Sequence, residues 1–151
     1  MQKSISTILK NLLIIFLFLS YSILAQEIIH NFKIIEVIDG DTVRIDAKFL
    51  PTPIPPELKL RIIGIDTPEK GNLAKCNQEK LKAKQAYEFL KKLIDTENII
   101  GVSFIKWDKY GGRILGDIHL QNDKRISQII LKEGFAVPYD GGKKYDWCKN
   151  K

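Results

Sequence analysis

The sequence has few of the residues that build zinc sites or disulfide-rich scaffolds. Of its 151 residues, two are cysteine and two are histidine. Cys76 and Cys148 do not form a C-x-x-C pair, and His30 and His119 stand far apart, so zinc ligation is not indicated. The sequence also has no internal repeat and no low-complexity segment, which excludes solenoids and flexible linkers.

Long apolar runs are scarce, and the longest lies near the start of the chain. Two lysines precede the run Leu12–Leu19, and a cleavage site is predicted after Ala25, although Ile23 is bulkier than the residue usual at that position. The run is short for a membrane span. We therefore expect residues 1–25 to be a signal peptide and the protein to be secreted or periplasmic. The alternative is an uncleaved membrane anchor.

Residues 26–151 have the size of one globular domain. The whole chain is 44% apolar and 28% charged, which is typical of folded rather than disordered proteins. Removing the two signal-peptide lysines from 24 basic residues leaves 22 against 18 acidic ones, a net charge of +4. A mildly basic exported domain suits a polyanionic partner, although such a charge also serves solubility.

Alternation of apolar and polar residues predicts several short strands. Phe32–Ile38 and Thr42–Leu50 alternate on either side of Asp39-Gly40, a strong hairpin signal. The proline-rich stretch Pro51–Pro56 must be a loop, and it leads into a third strand around Arg61. These three strands are expected to form an antiparallel meander.

Helical periodicity appears after the third strand. Asn77–Leu93 is predicted as an amphipathic helix that lies on the sheet, with lysines and glutamates facing solvent. Its predicted apolar stripe is Leu81, Ala83, Tyr87, Phe89, Leu90, Leu93 and Ile94. Strand patterns return over Glu97–Lys106 and Arg113–Leu120, and a second helix is predicted over Arg125–Glu133. The predicted fold is α+β, mainly β: a five-stranded barrel, closed or partly closed, with two or three packed helices.

The segment Leu60–Glu69, with the sequence LRIIGIDTPE, combines a strand with charged residues that core packing does not explain. Arg61 lies in the apolar strand, while Asp66 and Glu69 belong to the proline-containing turn that ends it. Side chains alternate along a strand, so Arg61 and Asp66 would face opposite ways unless a bulge at Gly64 resets the phase. An ordinary strand and turn with a solvated ion pair is the alternative interpretation.

Four acidic residues are predicted to gather at one end of the barrel. Asp39 and Asp41 flank Gly40 in the first hairpin, and neighbouring strands bring this turn near Asp66 and Glu69. Grouped carboxylates repel one another unless a hard cation binds them, and oxygen-only ligation indicates Ca²⁺ or Mg²⁺. Taken alone, the Asp39-Gly40-Asp41 sequence also fits a simple solvated turn.

Two arginines complete this group. Arg61 and Arg113 are both expected near the acidic end, and paired guanidinium groups bind a phosphate whose charge grows during reaction. Each arginine alone fits a surface position. Together with a metal ion and a carboxylate that activates or orients water, they predict phosphodiester hydrolysis.

Three blocks of the sequence resemble the signature of the staphylococcal nuclease (thermonuclease) family. They are DGDTV at Asp39–Val43, LRIIGIDTPE at Leu60–Glu69 and DKYGGR at Asp108–Arg113, in this order. The resemblance spans Phe32–Tyr139 and implies an OB-fold barrel. It also implies a Ca²⁺-dependent, sugar-non-specific endonuclease that cleaves DNA and RNA and leaves 3′-phosphates. We expect a monomer without a stable protein partner.

The resemblance implies roles for the matching residues. The implied calcium ligands are Asp41, Asp66 and the carbonyl of Thr67. Asp39 matches an acid that lies near the metal but outside its direct ligands. The implied catalytic residues are Glu69, as general base or water-positioning group, and the phosphate-binding Arg61 and Arg113. Tyr110 matches a tyrosine that contacts a substrate phosphate, and Tyr139 is a candidate for stacking on a base.

The sequence departs from the family pattern in three places. Gly112 is an extra residue before Arg113, the loop Pro51–Pro56 is long and proline-rich, and the C-terminal region is too short for the family's last long helix. In an oxidising compartment Cys76 and Cys148 are expected to form a disulfide that joins the start of the first helix to the C-terminal tail.

Two other classes of function remain as alternatives. One is a non-catalytic nucleic-acid-binding OB module, like the barrels of Tudor-containing relatives that have lost the acids and arginines. The other is a structural envelope protein, which would leave the acidic cluster unexplained. The retained Asp41, Arg61, Asp66, Glu69 and Arg113 favour the nuclease.

Overall fold

A computed structural model describes residues 28–48, 50–109 and 111–149 of the chain. The predicted signal peptide, residues 1–25, and Tyr110 lie outside the described residues. Within these ranges, none of the helices combines the length and the apolar character that a bilayer span requires.

Short strands dominate the described chain, and two α-helices pack with them. The strands are β1 (Ile29–His30), β2 (Ile34–Asp39), β3 (Thr42–Asp46), β4 (Glu57–Ile62), β5 (Ile65–Asp66), β6 (Ile99–Ser103), β7 (Lys106–Trp107), β8 (Arg113–Gly116), β9 (Ile118–Leu120) and β10 (Val137–Pro138). The helices are α1 (Asn77–Thr96) and α2 (Ile126–Lys132), with a 3₁₀ turn at Gly71–Leu73. The fold is therefore α+β and mainly β, as predicted.

The strands form one five-stranded sheet and two smaller ones. The large sheet has the order β2-β3-β4-β8-β7, and the small sheets are β1-β6-β9 and β10-β5. The predicted meander of β2, β3 and β4 is confirmed, since both pairings are antiparallel. β8 adds to β4 in parallel, with Arg61 opposite Leu115, a pairing that the sequence pattern did not indicate.

The predicted barrel, closed or partly closed, is not confirmed, because none of the three sheets formed by the described residues closes on itself. The strand predicted over 97–106 is divided into β6 and β7, and the one predicted over 113–120 into β8 and β9. At this division the backbones come very close: a Cβ on Gly116 would lie 1.8 Å from the Ser103 carbonyl oxygen. The Ser103 N–H donates to the Asp117 carbonyl at 2.9 Å. The segment from β6 to β7 and the segment from β8 to β9 therefore pass between the two sheets side by side.

Helix α1 covers the core with a narrower stripe than predicted. Leu90 and Leu93 join the apolar core, but Leu81 is 66% exposed, so its predicted place in the stripe is wrong. Leu81 stands two positions before the buried Ala83, which is about 200° away around a helix. Glu79 was expected to face solvent and is buried instead, because its carboxylate accepts backbone N–H groups that precede the helix.

A buried carboxylate fastens α2 to the junction of β8 and β9. Asp117 is 2% exposed, and its Oδ1 accepts the N–H groups of Ile118 at 2.8 Å and Ser127 at 3.2 Å. Its Oδ2 accepts the Ser127 hydroxyl. Burial raises the pKa of Asp117, although the bonds from Ser127 and Ile118 oppose the shift. Asp117 therefore has a structural role.

Replacing Asp117 by alanine should lower the free energy of unfolding by about 3 kcal/mol, because buried donors of two elements lose their acceptor. Asp117→Asn keeps an acceptor oxygen and should cost less. Urea unfolding followed by circular dichroism measures both variants, with the exposed Asp95→Ala as control. A loss in Asp117→Ala no larger than in Asp95→Ala would contradict this role.

Candidate active site

The predicted site residues meet at a cleft of about 720 Å³. Its walls come from the β2–β3 turn, the β4–β5 segment, the turn before β8 and the C-terminal tail. The predicted residues that line it are Asp39, Asp41, Arg61, Thr67, Glu69, Arg113 and Tyr139. The predicted metal ligand Asp66 does not line it, because its side chain is buried behind Arg61 and Lys144. Acids from two turns and arginines from two strands thus face one space.

The turn at Ile63-Gly64 lets Arg61 and Asp66 meet. β4 ends at Ile62, and Gly64 has φ 81°, a left-handed conformation that favours glycine. The Arg61 side chain contacts residues that follow the turn. Its Nη2 donates to the Ile65 carbonyl at 3.3 Å and lies 3.6 Å from Asp66 Oδ1. A turn at Ile63-Gly64, rather than the bulge considered from the sequence, therefore interrupts the strand and resets the side-chain phase.

Asp41 is the most heavily bonded acid of the cleft. Its Oδ1 accepts Arg61 Nη1 and the Thr42 hydroxyl, and its Oδ2 accepts the Thr67 N–H at 3.1 Å and the Thr67 hydroxyl at 2.9 Å. Burial, with a smaller contribution from Asp39, raises the pKa of Asp41 to about 6 even though Arg61 and Thr67 oppose the shift. Asp39 Oδ1 in turn accepts the Asp41 N–H at 3.2 Å.

Gly40 lets the β2–β3 turn, which carries Asp39 and Asp41, pack closely against α1 and against the turn at Thr67. A Cβ at this position would lie 2.8 Å from Ala86 Cβ and 3.0 Å from Thr67 Cβ. Gly40 is not among the glycines with positive φ, so space rather than backbone conformation requires a glycine here. The hairpin signal was correct, and its glycine serves packing.

Asp66 offers an acidic oxygen that lacks a hydrogen-bond donor among the described residues. Its Oδ1 is buried, and two cations of the described chain lie near it, Arg61 Nη2 at 3.6 Å and Lys144 Nζ at 3.5 Å. A buried carboxylate oxygen without a close partner is costly, so it is suited to a cation ligand. Asp41 and Asp66 would both bind a cation through oxygen, and they lie beside the two terminal nitrogens of the Arg61 guanidinium.

Glu69 is bound by a residue that the sequence analysis did not identify. Lys144 donates to Glu69 Oε1 from the C-terminal tail. Burial would lower the pKa of Lys144, but the hydrogen bond to Glu69 and the charge of Asp66 outweigh this effect and raise it. No periodic pattern marks this lysine. The predicted disulfide, which fixes the tail beside α1, was the one sequence signal that pointed toward it.

Arg113 reaches the cleft in spite of the extra residue Gly112. Gly111 and Gly112 have φ 68° and 69°, so two left-handed residues accommodate the longer turn. Arg113 Nε donates to Asp108 Oδ2. Burial would raise the pKa of Asp108, but the hydrogen bond and charge of Arg113 outweigh it and hold the pKa below its usual value. Asp108 thereby orients Arg113.

Tyr139 lines the cleft near Arg61. Its N–H donates to the Gly64 carbonyl at 2.9 Å, and its hydroxyl donates to the Gly142 carbonyl at 3.1 Å. The ring centroid lies 6.0 Å from Arg61 Cζ, at the limit of a cation–π contact. The other predicted substrate-binding tyrosine, Tyr110, lies outside the described residues.

The structure contains the predicted disulfide between Cys76 and Cys148, whose Cα atoms are 6.0 Å apart. In the described chain, the one trio of His, Cys, Asp or Glu with ligand atoms all within 4.8 Å is Cys76, Glu79 and Cys148. Because its two sulfurs are bonded to each other, they are not thiolates that bind metal. The acids of the cleft are spread more widely than this trio.

Comparison with known proteins identifies the family. The model of the staphylococcal nuclease homologue family matches residues 59–149. The chain therefore belongs to the staphylococcal nuclease homologue family. The matched region contains Arg61, Asp66, Glu69 and Arg113, whereas Asp39 and Asp41 precede it.

Two curated relatives are endonucleases by name. The chain is 27% identical over 134 residues to an uncharacterized endonuclease of Escherichia coli, with 85% of this chain and 71% of the relative covered. It is 29% identical over 109 residues to endonuclease YhcR of Bacillus subtilis (strain 168), with 68% of this chain but 8% of that protein covered. The chain thus spans only a small part of YhcR.

Proposed function

We propose that this protein is an exported, Ca²⁺-dependent endonuclease that hydrolyses phosphodiester bonds of DNA and RNA and leaves 3′-phosphates. The observation that carries the proposal is the convergence of Arg61, Arg113, Asp41 and Glu69 on one cleft, with Asp66 buried beside Arg61. Membership of the staphylococcal nuclease homologue family and two relatives named as endonucleases support it.

The donor chemistry of the cleft fits a calcium ion. The buried Asp66 Oδ1 receives no hydrogen bond from the residues that the structure describes, and Asp41 is bound to the other terminal nitrogen of Arg61. Asp41, Asp66 and the Thr67 carbonyl would hold the ion, because Ca²⁺ takes carboxylate and carbonyl oxygens. When bound, the ion would stabilise the negative charge that grows on the phosphate.

Arg61 and Arg113 would hold the phosphate. A guanidinium has five N–H donors, and the bonds of Arg61 to Asp41 and to the Ile65 carbonyl use two of them. Asp108 likewise fixes Arg113 through one N–H group. Both guanidiniums are therefore preorganised, and each keeps donors for phosphate oxygens.

Glu69 would activate the attacking water. Its side chain is 32% exposed at the cleft, so water reaches it, whereas the side chain of Asp66 is 2% exposed. As a general base, Glu69 would take a proton from the water while the water oxygen bonds to phosphorus. The bond from phosphorus to the 5′-oxygen would then break, and this oxygen would take a proton from solvent to become a 5′-hydroxyl, which leaves the phosphate on the 3′ side.

Removal of calcium tests the proposal directly. Purified protein should degrade plasmid DNA and RNA with Ca²⁺ present and should lose the activity in excess EGTA. Products should become ligatable at their 3′ ends only after phosphatase treatment. Undiminished digestion in EGTA would contradict the proposal. Gel retardation of intact nucleic acid under all conditions would instead support the non-catalytic binding module.

A further inference from the structure

The C-terminal tail places a lysine among the acids of the cleft. Lys144 Nζ hydrogen-bonds to Glu69 Oε1 and lies 3.5 Å from Asp66 Oδ1. Its side chain is 45% exposed, so it enters the cleft from the solvent side. The ammonium group of Lys144 therefore bridges two carboxylates. In the proposed function, Asp66 is a metal ligand and Glu69 is the general base.

The tail that carries Lys144 is fixed on both sides of it. Before Lys144, the Tyr139 N–H donates to the Gly64 carbonyl at 2.9 Å. After it, Trp147 is 6% exposed and lies against α1, where Lys82 Nζ is 5.6 Å from the indole centroid. The next residue, Cys148, is covalently bound to Cys76 at the start of α1. Lys144 is thereby kept within reach of the acids.

We propose that Lys144 is an internal counter-cation that competes with the divalent ion for Asp66. This inference rests on the proposed function, since it takes the cleft to be the calcium site. Lys144 neutralises the acids when no ion is bound, and ion binding displaces its ammonium group from Asp66. The disulfide and Trp147 keep the displaced lysine close to the cleft.

Competition follows from the shared oxygen. A calcium ligand must approach the ion to about 2.3–2.6 Å, and Asp66 Oδ1 is also the atom nearest Lys144 on that carboxylate. An ammonium group beside the ion also repels it. Loss of the Lys144 charge therefore removes both a rival partner of Asp66 and a repulsive charge, so the ion should bind more tightly.

Calorimetric titration of Ca²⁺ into the purified protein tests the competition without any turnover. Lys144→Met keeps most of the side-chain length and removes the charge, and it should lower the Kd for Ca²⁺ about tenfold. Lys143→Met, at the exposed neighbouring position, removes the same charge from the protein and should leave Kd within twofold of wild type. Thermal unfolding of each variant verifies that the fold is retained.

A second measurement follows the displacement itself. Acetylation by an amine-reactive ester, mapped by mass spectrometry, should proceed several-fold faster at Lys144 when Ca²⁺ is added, while Lys143 serves as internal control. A Kd in Lys144→Met equal to or weaker than that of wild type, or Ca²⁺-independent acetylation of Lys144, would overturn the competition but leave the nuclease proposal standing. Absence of Ca²⁺ binding in every form would overturn the metal site and the competition together.

Discussion

Replacing Arg61 by lysine should lower kcat/KM for DNA hydrolysis by about a thousandfold, which corresponds to about 4 kcal/mol of lost transition-state stabilisation. The Arg61 side chain is 12% exposed, and its two terminal nitrogens donate to Asp41 and to the Ile65 carbonyl. A lysine keeps the charge but cannot bind the acid, the carbonyl and a phosphate at the same time, because it lacks the planar fork. Most of the loss should appear in kcat.

Arg44→Lys provides the matched control for this experiment. Arg44 lies on the neighbouring strand β3 and makes ion pairs with Glu36 at 2.9 Å and Glu57 at 3.6 Å, away from the cleft. Exposed pairs of this kind contribute little, so kcat/KM should stay within about twofold of wild type. Activity of Arg61→Lys within tenfold of wild type would show that the guanidinium fork is not needed.

Replacing Glu69 by glutamine should lower kcat by about 10²–10⁴-fold with little change in KM. The amide has the size of the carboxylate and still accepts a hydrogen bond from Lys144, but it cannot take a proton from water. Initial rates on a fluorescent oligonucleotide give both constants, and calorimetry shows whether Ca²⁺ is still bound.

Glu88→Gln, on the exposed side of α1, is the control for the Glu69 variant and should leave kcat unchanged. If Glu69→Gln kept more than a tenth of the wild-type kcat, another group would have to activate the water. If it failed to bind Ca²⁺, Glu69 would instead be needed for the metal.

Local patterns predicted the parts of the fold that depend on neighbouring residues. The β2–β3 hairpin, α1 and the interruption at Gly64 follow from alternation, helical period and turn chemistry within a few residues. The parallel pairing of β4 with β8 does not, because it joins segments about fifty residues apart and no local pattern specifies the partner. The sheet division at Gly116 had a weak signal, since a glycine within a strand often marks a close backbone approach.

The same contrast holds for the candidate site. The acids and arginines lie in three short blocks whose order identified them together. The structure brings all of the predicted acids and arginines except the buried Asp66 to the lining of one cleft. Lys144 lies in a tail without periodicity, and its position depends on a covalent bond and on the packing of Trp147. Similarly, the burial of Glu79 depends on backbone donors supplied by the preceding loop.

The tight packing at Gly40 has a consequence for how Asp41 is bonded. A Cβ at residue 40 would meet Ala86 in the middle of α1 and Thr67 in the neighbouring turn, and none of these three positions bears a charge. A methyl group added there would have to displace Ala86 or Thr67, and Thr67 donates two hydrogen bonds to Asp41. The bonding of the most heavily bonded acid of the cleft thus depends on a neutral contact on the far side of the turn.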